Sequence, residues 1–187
     1  QVRVAEHPGV EERAHIQSVI ASLPSETSVQ CMESGRLFDR QALPFEQTAL
    51  PDSFSAFRRS VEQVCVVPEN RSAPVTLPSW PDAPRGFPPL KAVCEQSATW
   101  QPDNRQGYAY RGGESEAHAR LHDYLWHQQG AQTYKKTRNG LLGANFSTRV
   151  SPWLARGCLS ARQVYAAVKA WEAENGSNES SYWITFE

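Results

Sequence analysis

A hydroxyl-rich segment before a predicted helix has the residue types of an anion site. Ser147, Thr148 and Ser151 place three hydroxyl groups within five positions, and Arg149 adds a permanent positive charge with five N–H donors. Ser151 as N-cap and Pro152 at the first helical position predict a helix start, where unpaired N–H groups and the positive helix end point the same way. A phosphate or diphosphate suits such a site. An ordinary capped helix after a polar loop is the alternative.

Positive charge is concentrated in the same part of the chain. The whole chain has 19 Lys+Arg against 20 Asp+Glu, which argues against a strongly basic nucleic-acid binder. Residues 124–171 nevertheless contain no Asp or Glu. They contain seven cations: Lys135, Lys136, Arg138, Arg149, Arg156, Arg162 and Lys169. This distribution predicts a surface that faces a polyanion, and a solvated basic face paired with acids elsewhere is the alternative.

Metal chemistry is not predicted. His118 and His122 have the i, i+4 spacing of a helical pair, but no carboxylate-rich context supplies a third ligand, so surface histidines are favoured. The cysteines form no CxxC pair; they are Cys31, Cys65, Cys94 and Cys158. Their wide spacing in a chain of 187 residues predicts free thiols of an intracellular protein. No apolar run approaches the ~20 residues of a membrane span.

Residues 1–66 have the pattern of a mixed α/β region. Apolar residues with helical spacing predict one helix around 16–23, and Pro24 ends it. Val29 to Met32 predicts a short strand. A second helix is predicted from Phe54, with Asp52 or Ser53 as its cap.

Residues 67–105 predict an extended linker. Eight of the 13 prolines lie there, a density that removes backbone donors and disrupts regular elements. Trp80, Phe87 and Trp100 suggest that the linker lies against a folded surface.

Residues 106–187 predict an all-helical region. Ser160 and Gln163 have the spacing of a capping box, and Asn175-Gly176 predicts the helix end. The chain stops within an apolar run containing Trp183, so we expect it to be a piece of a longer protein.

A longer block makes the chain recognisable. Residues 134–160, which read YKKTRNGLLGANFSTRVSPWLARGCLS, resemble the start of the FAD-binding domain of DNA photolyases and cryptochromes. The Tyr-x-x-Thr-Arg-Asn and Ser-Pro-Trp-Leu forms resemble the DASH branch in particular. The resemblance implies that 1–66 is the end of the α/β antenna domain, 67–105 the interdomain linker and 106–187 the start of the helical FAD-binding domain. The predicted fold class is therefore an α/β remnant followed by an all-α segment, an incomplete fold.

The resemblance also implies site residues. The FAD-contacting candidates are Tyr134, Ser147, Thr148, Arg149, Val150 and Ser151. Glu187 matches the family glutamate that faces the flipped pyrimidine dimer, and Arg138 is assigned to the pocket or to the DNA-facing side. Two departures stand out: Arg156 replaces an aliphatic residue, which could place a charge in a packed position, and Ala161 replaces a proline at a helix start.

The implied activity is light-driven splitting of cyclobutane pyrimidine dimers. The implied cofactors are FAD and, in the whole protein, a folate-type antenna chromophore such as methenyltetrahydrofolate. The implied partner is UV-damaged DNA, single-stranded in this branch, bound by a monomeric, intracellular protein. Two alternatives are open: a blue-light-sensing cryptochrome without repair activity, and a truncated, flavin-free interaction module. We expect the 187 residues alone to be inactive.

Overall fold

The N-terminal portion is built on one pair of parallel strands. A computed structural model describes residues 1–79, 88–94, 103 and 105–186 of the chain. Strands β1 (Val2–Glu6) and β2 (Val29–Glu33) pair in parallel, with Val2 opposite Val29 and Glu6 opposite Glu33. Helix α1 (Val10–Ser22) connects them, as parallel pairing requires a crossover. The strand predicted from Val29 is confirmed.

The segment predicted to be helical around 16–23 lies largely in α1, but its apolar stripe is not buried. No residue of α1 is buried, and Val19 is 40 % exposed. A two-stranded sheet offers too little surface to cover a helix face, which explains the difference.

Helix α2 (Phe54–Val64) begins at a side-chain cap. The Ser53 hydroxyl accepts a hydrogen bond from the Ala56 N–H at 3.3 Å, so the structure selects Ser53 over Asp52. Val61 on α2 is buried, with 1 % exposure. Two short 3-10 turns, Arg40–Ala42 and Gln47–Ala49, precede the helix.

In the described part of the proline-rich region, α3 (Leu90–Val93) is the only regular element. The predicted surface contacts of Trp80, Phe87 and Trp100 lie outside the described residues.

The C-terminal portion is helical throughout its described length. Helix α4 (Glu114–His122) continues into a π-helical turn (Asp123–His127), and α5 (Gly130–Thr137) follows. Helices α6 (Ser151–Ala155), α7 (Ala161–Asn175) and α8 (Glu179–Phe186) complete it. Among the described helices, none is both long and apolar enough to cross a lipid bilayer.

Helix α7 has the boundaries that its sequence predicts. Ser160 Oγ accepts from the Gln163 N–H at 3.1 Å, and Gln163 Oε1 accepts from the Ser160 N–H at 2.7 Å. Gly176 ends the helix with φ 81°, a conformation that glycine adopts readily. The predicted capping box is confirmed, and Ala161 in place of proline leaves it intact.

One core joins the helices of this portion. Its buried members come from α4, the π-helical turn, α5, α6, α7 and the residues before α6 and α7. They are Ala117, Leu121, Tyr124, Leu125, Ala131, Val150, Trp153, Leu159, Val168 and Trp171. The predicted order of a mixed α/β portion and an all-helical portion is thus confirmed.

Polar contacts join the two portions. Arg162 on α7 donates from Nε to the Leu37 carbonyl at 3.1 Å and pairs through Nη2 with Asp39 Oδ1 at 2.6 Å. The Tyr182 hydroxyl on α8 hydrogen-bonds to the Glu62 carboxylate on α2.

The apolar segment near the chain end has partners in the structure. The guanidinium groups of Arg58 and Arg138 lie over the Trp183 ring, with their carbon atoms 5.0 and 5.4 Å from its centroid. Ile184 packs against the helical core. Both side chains are half-buried, so this part of the apolar run has packing partners among the described residues.

Candidate anion-binding loop

The loop before α6 presents unused backbone donors. In the described part of the chain, five consecutive N–H groups, those of residues 147–151, have no hydrogen-bond acceptor. Arg149 adopts the left-handed region at φ 56°, and Val150 follows at φ −87° and ψ −3°. Successive residues of opposite hand turn neighbouring N–H groups toward one side, which forms a concavity that binds anions.

The three hydroxyl groups of this loop are also unused. Ser147, Thr148 and Ser151 make no side-chain hydrogen bond with any described residue. Val150, and not Ser151, is the N-cap of α6: its carbonyl accepts from the N–H groups of Trp153 at 3.1 Å and Leu154 at 3.0 Å. The predicted capping role of Ser151 is therefore wrong. Its hydroxyl is left available for a ligand because it caps nothing.

The Arg149 side chain, which the sequence predicts as an anion contact, hydrogen-bonds to backbone carbonyl groups in the structure. Its Nη2 donates to the carbonyl oxygens of Leu141 at 3.2 Å and Gly143 at 2.9 Å. A Cβ on Gly107 would lie 3.3 Å from both Nη atoms, so glycine allows this close approach. The guanidinium therefore holds residues 141–143 in place through Nη2, and its buried Nε has no partner among the described residues.

Arg120 lies directly behind the loop. Its side chain is 1 % exposed, and its Nε donates to the Thr148 carbonyl at 3.0 Å. The sequence reasoning assigned it no function. Its position on the buried stripe of α4, three residues after Ala117 and four before Tyr124, is the signal that could have identified it. A charged residue on a buried stripe needs polar partners, and here the loop supplies them.

Tyr134 lies in a different environment from the loop. It lines an apolar cleft of about 590 Å³ with Phe57 and Val61 of α2 and Thr185 of α8. Burial raises the pKa of its hydroxyl above the ordinary value, and the Arg138 guanidinium opposes that shift. The phenol is therefore a neutral donor at physiological pH. One helical turn further, Thr137 Oγ1 donates to the Phe146 carbonyl at 2.9 Å and ties α5 to the loop.

The remaining predicted site residues are dispersed. Arg138 is the C-cap of α5 and stacks on Trp183, so it lies on the α8 side. Glu187 lies outside the described residues. Arg156 is exposed at the end of α6, which contradicts the concern that it places a charge in a packed position.

Much of the basic stretch is paired with acids. Lys135 contacts Glu179, Arg162 contacts Asp39 and Lys169 contacts Glu172. For these three cations the structure supports the paired alternative. Within the ranges that the structure describes, the exposed Lys136 and Arg156 have no ion-pair partner.

The donor set of the loop suits a multiply charged oxyanion. Five N–H groups and three hydroxyls offer the hydrogen bonds that phosphate oxygens accept, and two arginines supply positive charge. The diphosphate of a dinucleotide fits this chemistry. No group of three or more His, Cys, Asp or Glu side chains in the described residues is placed to hold a metal ion.

Comparison with known proteins gives a consistent family. A DASH cryptochrome from Danio rerio is 40 % identical over 161 residues, which cover 85 % of this chain and 31 % of that protein. One from Idiomarina loihiensis is 44 % identical over 155 residues, covering 81 % and 31 %. One from Natronomonas pharaonis is 35 % identical over 184 residues, covering 96 % and 38 %. No protein-family model matches the chain.

A solved structure agrees with the sequence matches. The crystal structure of a Synechocystis sp. PCC6803 cryptochrome superposes with a TM-score of 0.71 at 35 % identity, covering 95 % of this chain and 36 % of that one. The chain spans about a third of the length of the relatives it matches. The sequence matches and the fold agree: over most of its length, the chain is similar to part of the DASH cryptochromes.

Proposed function

We propose that the chain is part of a flavin-dependent DASH-type photolyase and that its loop 147–151 binds the diphosphate of FAD. The observation that carries the proposal is the set of unused donors: five N–H groups and three hydroxyls on one short loop, next to a guanidinium with an unmatched Nε. Unpaired donors of this density are costly unless water or a ligand satisfies them.

The residues of the chain would bind and orient the cofactor. Ser147, Thr148 and Ser151 donate hydroxyl hydrogen bonds to diphosphate oxygens, and the backbone N–H groups of Arg149 and Val150 add two more. Tyr134 offers a neutral phenol O–H from α5. Held there in its reduced form, the flavin would supply light-driven electron donation to a cyclobutane dimer, with the electron returned after splitting, while the protein would supply position and electrostatics.

The proposed partner is UV-damaged DNA, with a preference for single strands. Extrusion of a damaged base costs least where base pairing is already lost. Lys136 and Arg156, which are exposed and have no ion-pair partner among the described residues, are open to phosphate contact. Binding through such contacts weakens with salt, because counterions are released when phosphates are neutralised.

The rest of the proposal concerns the whole protein. It includes the division into 1–66, 67–105 and 106–187 and a folate-type antenna chromophore. It also includes the dimer-facing role of Glu187 and the DNA-facing or pocket role of Arg138. Coverage of only about a third of each relative supports the interpretation that the 187 residues are inactive alone. The proposed state of the whole protein is a monomer.

The test uses the gene product at its native length. We expect purified protein to retain FAD and to split dimers in single-stranded DNA only under light. The variant Ser147→Ala/Thr148→Val/Ser151→Ala should weaken FAD binding by at least about tenfold, given the value of hydrogen bonds to charged groups. Ser177→Ala, an exposed serine after α7, is the control. Flavin retention without repair would support the light-sensing alternative, and FAD binding unaffected by the triple variant would refute the loop assignment.

A further inference from the structure

We infer that Arg120 is the positioning residue of the diphosphate loop and that its buried charge strengthens anion binding; this inference rests on the proposed function. Arg120 would not touch the ligand. It would act through the backbone of residues 144–148, which it holds in one conformation, and through its electrostatic field.

The guanidinium binds the loop through several donors. Nη2 donates to the carbonyl oxygens of Ala144 at 2.9 Å and Ser147 at 3.2 Å, and Nε donates to that of Thr148 at 3.0 Å. Nη1 donates to Asn145 Oδ1 at 3.0 Å. One planar group thus binds four of the five residues 144–148. The rigid fork of arginine suits these contacts, and the single ammonium group of lysine does not.

These contacts determine where the N–H groups point. In a trans peptide the C=O and the following N–H lie on opposite sides, and the described part of the chain contains no cis peptide. Because the carbonyls of Ser147 and Thr148 face Arg120, the N–H groups of Thr148 and Arg149 face away from it. Both are among the N–H groups without an acceptor in the described structure. Arg120 therefore holds the loop with these carbonyl groups turned inward, toward the guanidinium, and these N–H groups turned outward, toward a ligand.

The charge of Arg120 is only partly neutralised. Its nearest carboxylate is Asp123, with Oδ2 at 3.4 Å from Nη1, and Asp123 is 40 % exposed and also contacts His127 Nδ1 at 3.4 Å. The Tyr108 and Tyr124 rings lie 4.7 and 5.4 Å from the guanidinium carbon and shield it from water. A buried cation with one weak counterion strengthens the attraction of a nearby anion, because little solvent screens it.

The two effects separate in variants of the native-length protein freed of flavin. The probes are ADP, which carries a diphosphate, and adenosine, which does not. Arg120→Lys should weaken ADP binding by about tenfold or more, since the forked contacts are lost, and should leave adenosine binding unchanged. Asp123→Asn keeps the side-chain shape and removes the counter-charge, so it should tighten ADP binding about threefold, by Coulomb attraction in a partly screened site. Arg162→Lys alters a guanidinium of α7 that contacts Leu37 and Asp39 instead of the loop, and it is the control.

Each outcome decides something. Equal losses for ADP and adenosine in Arg120→Lys, or weaker ADP binding in Asp123→Asn, would show a merely structural role and overturn the inference. Unchanged ADP binding in both variants, with binding by the unaltered protein, would overturn it while leaving the proposed function in place. No ADP binding by the unaltered protein would overturn the proposed function and the inference with it. Should Arg120→Lys fail to fold, the sign of the Asp123→Asn effect still decides.

Discussion

The helical portion and the α/β portion of this chain are stabilised in different ways. Ten of the eleven buried apolar residues in the described structure belong to the helical portion, and Val61 on α2 is the other. The α/β portion has a paired sheet and a capped helix, yet α1 has no buried residue. Its contacts with the helices include the polar ones of Arg162 and Glu62 and an apolar cleft that Val61 lines together with Tyr134.

The difference indicates which portion can hold a site. Precise placement of a loop requires side chains locked by packing on its far side, and the anion loop is backed by the helical core through Val150 and Trp153. The α/β portion, with little core of its own, should open at lower free energy than the helices do. Four predictions, made for the 187-residue chain, test this comparison.

The largest effect should come from the centre of the helical core. Trp171 is 0 % exposed, so Trp171→Ala should lower the free energy of unfolding by about 3–5 kcal/mol. Val19→Ala, on the exposed stripe of α1, should change it by about 0.5 kcal/mol or less. Urea unfolding followed by far-UV circular dichroism measures both. Similar losses in the two variants would contradict the unequal distribution of the core.

The next effect tests close packing at the start of α5. A Cβ on Gly130 would lie 2.3 Å from Cζ of the buried Tyr124 ring, whereas a Cβ on Gly112 would meet nothing within 4 Å. Gly130→Ala should therefore destabilise the chain by about 1–3 kcal/mol through overpacking. Gly112→Ala should stay within about 0.5 kcal/mol. Equal thermal stabilities of the two variants would contradict close packing of the Tyr124 ring against Gly130.

The Tyr124 hydroxyl should give the helical portion a pH dependence. Burial raises the pKa of Tyr124 far above its ordinary value of 10.0, and its O–H donates to the Gly130 carbonyl at 3.3 Å. A raised pKa in the folded state contributes stability that is present below pH 10 and is lost as the pH rises above it. Tyr124→Phe should cost about 1 kcal/mol at neutral pH and should flatten the decline above pH 10. Tyr110→Phe, at an exposed ring, is the control, and an equally steep decline in Tyr124→Phe would rule out this source.

The smallest effect concerns the joint between the portions. Arg162 and Asp39 are 21 % and 58 % exposed, so a double-mutant cycle with Arg162→Gln and Asp39→Asn should give a coupling of about 0.2–1 kcal/mol. The Lys169–Glu172 pair lies within α7 and serves as a comparison that does not cross the joint. Zero coupling would mean that this ion pair contributes nothing to holding the two portions together.

Local sequence patterns were sufficient for elements whose stabilising contacts are local. The capping box at Ser160 and the end of α7 at Gly176 depend on residues three or four apart, and both were predictable. The hydroxyl groups of residues 147–151 mark a segment whose N–H and O–H donors have no partner in the described structure, and the assignment of this segment to FAD is a prediction.

Contacts between distant residues could not be predicted in the same way. Ser151 loses its capping role because Arg149 takes a left-handed conformation and places Val150 at the cap. Arg120 reaches residues 24 to 28 positions away, a pairing that no periodicity encodes. The stripe on α1 has the correct period, but its burial depends on a sheet larger than two strands.

The most direct test of the account is to isolate the gene product from its source cells with an antibody against residues 106–187 and to measure its mass and flavin content. The account predicts a mass more than twice 20.9 kDa and about one FAD per chain. A product of 20.9 kDa without flavin would contradict the central claim that this loop binds FAD and would favour a flavin-free interaction module.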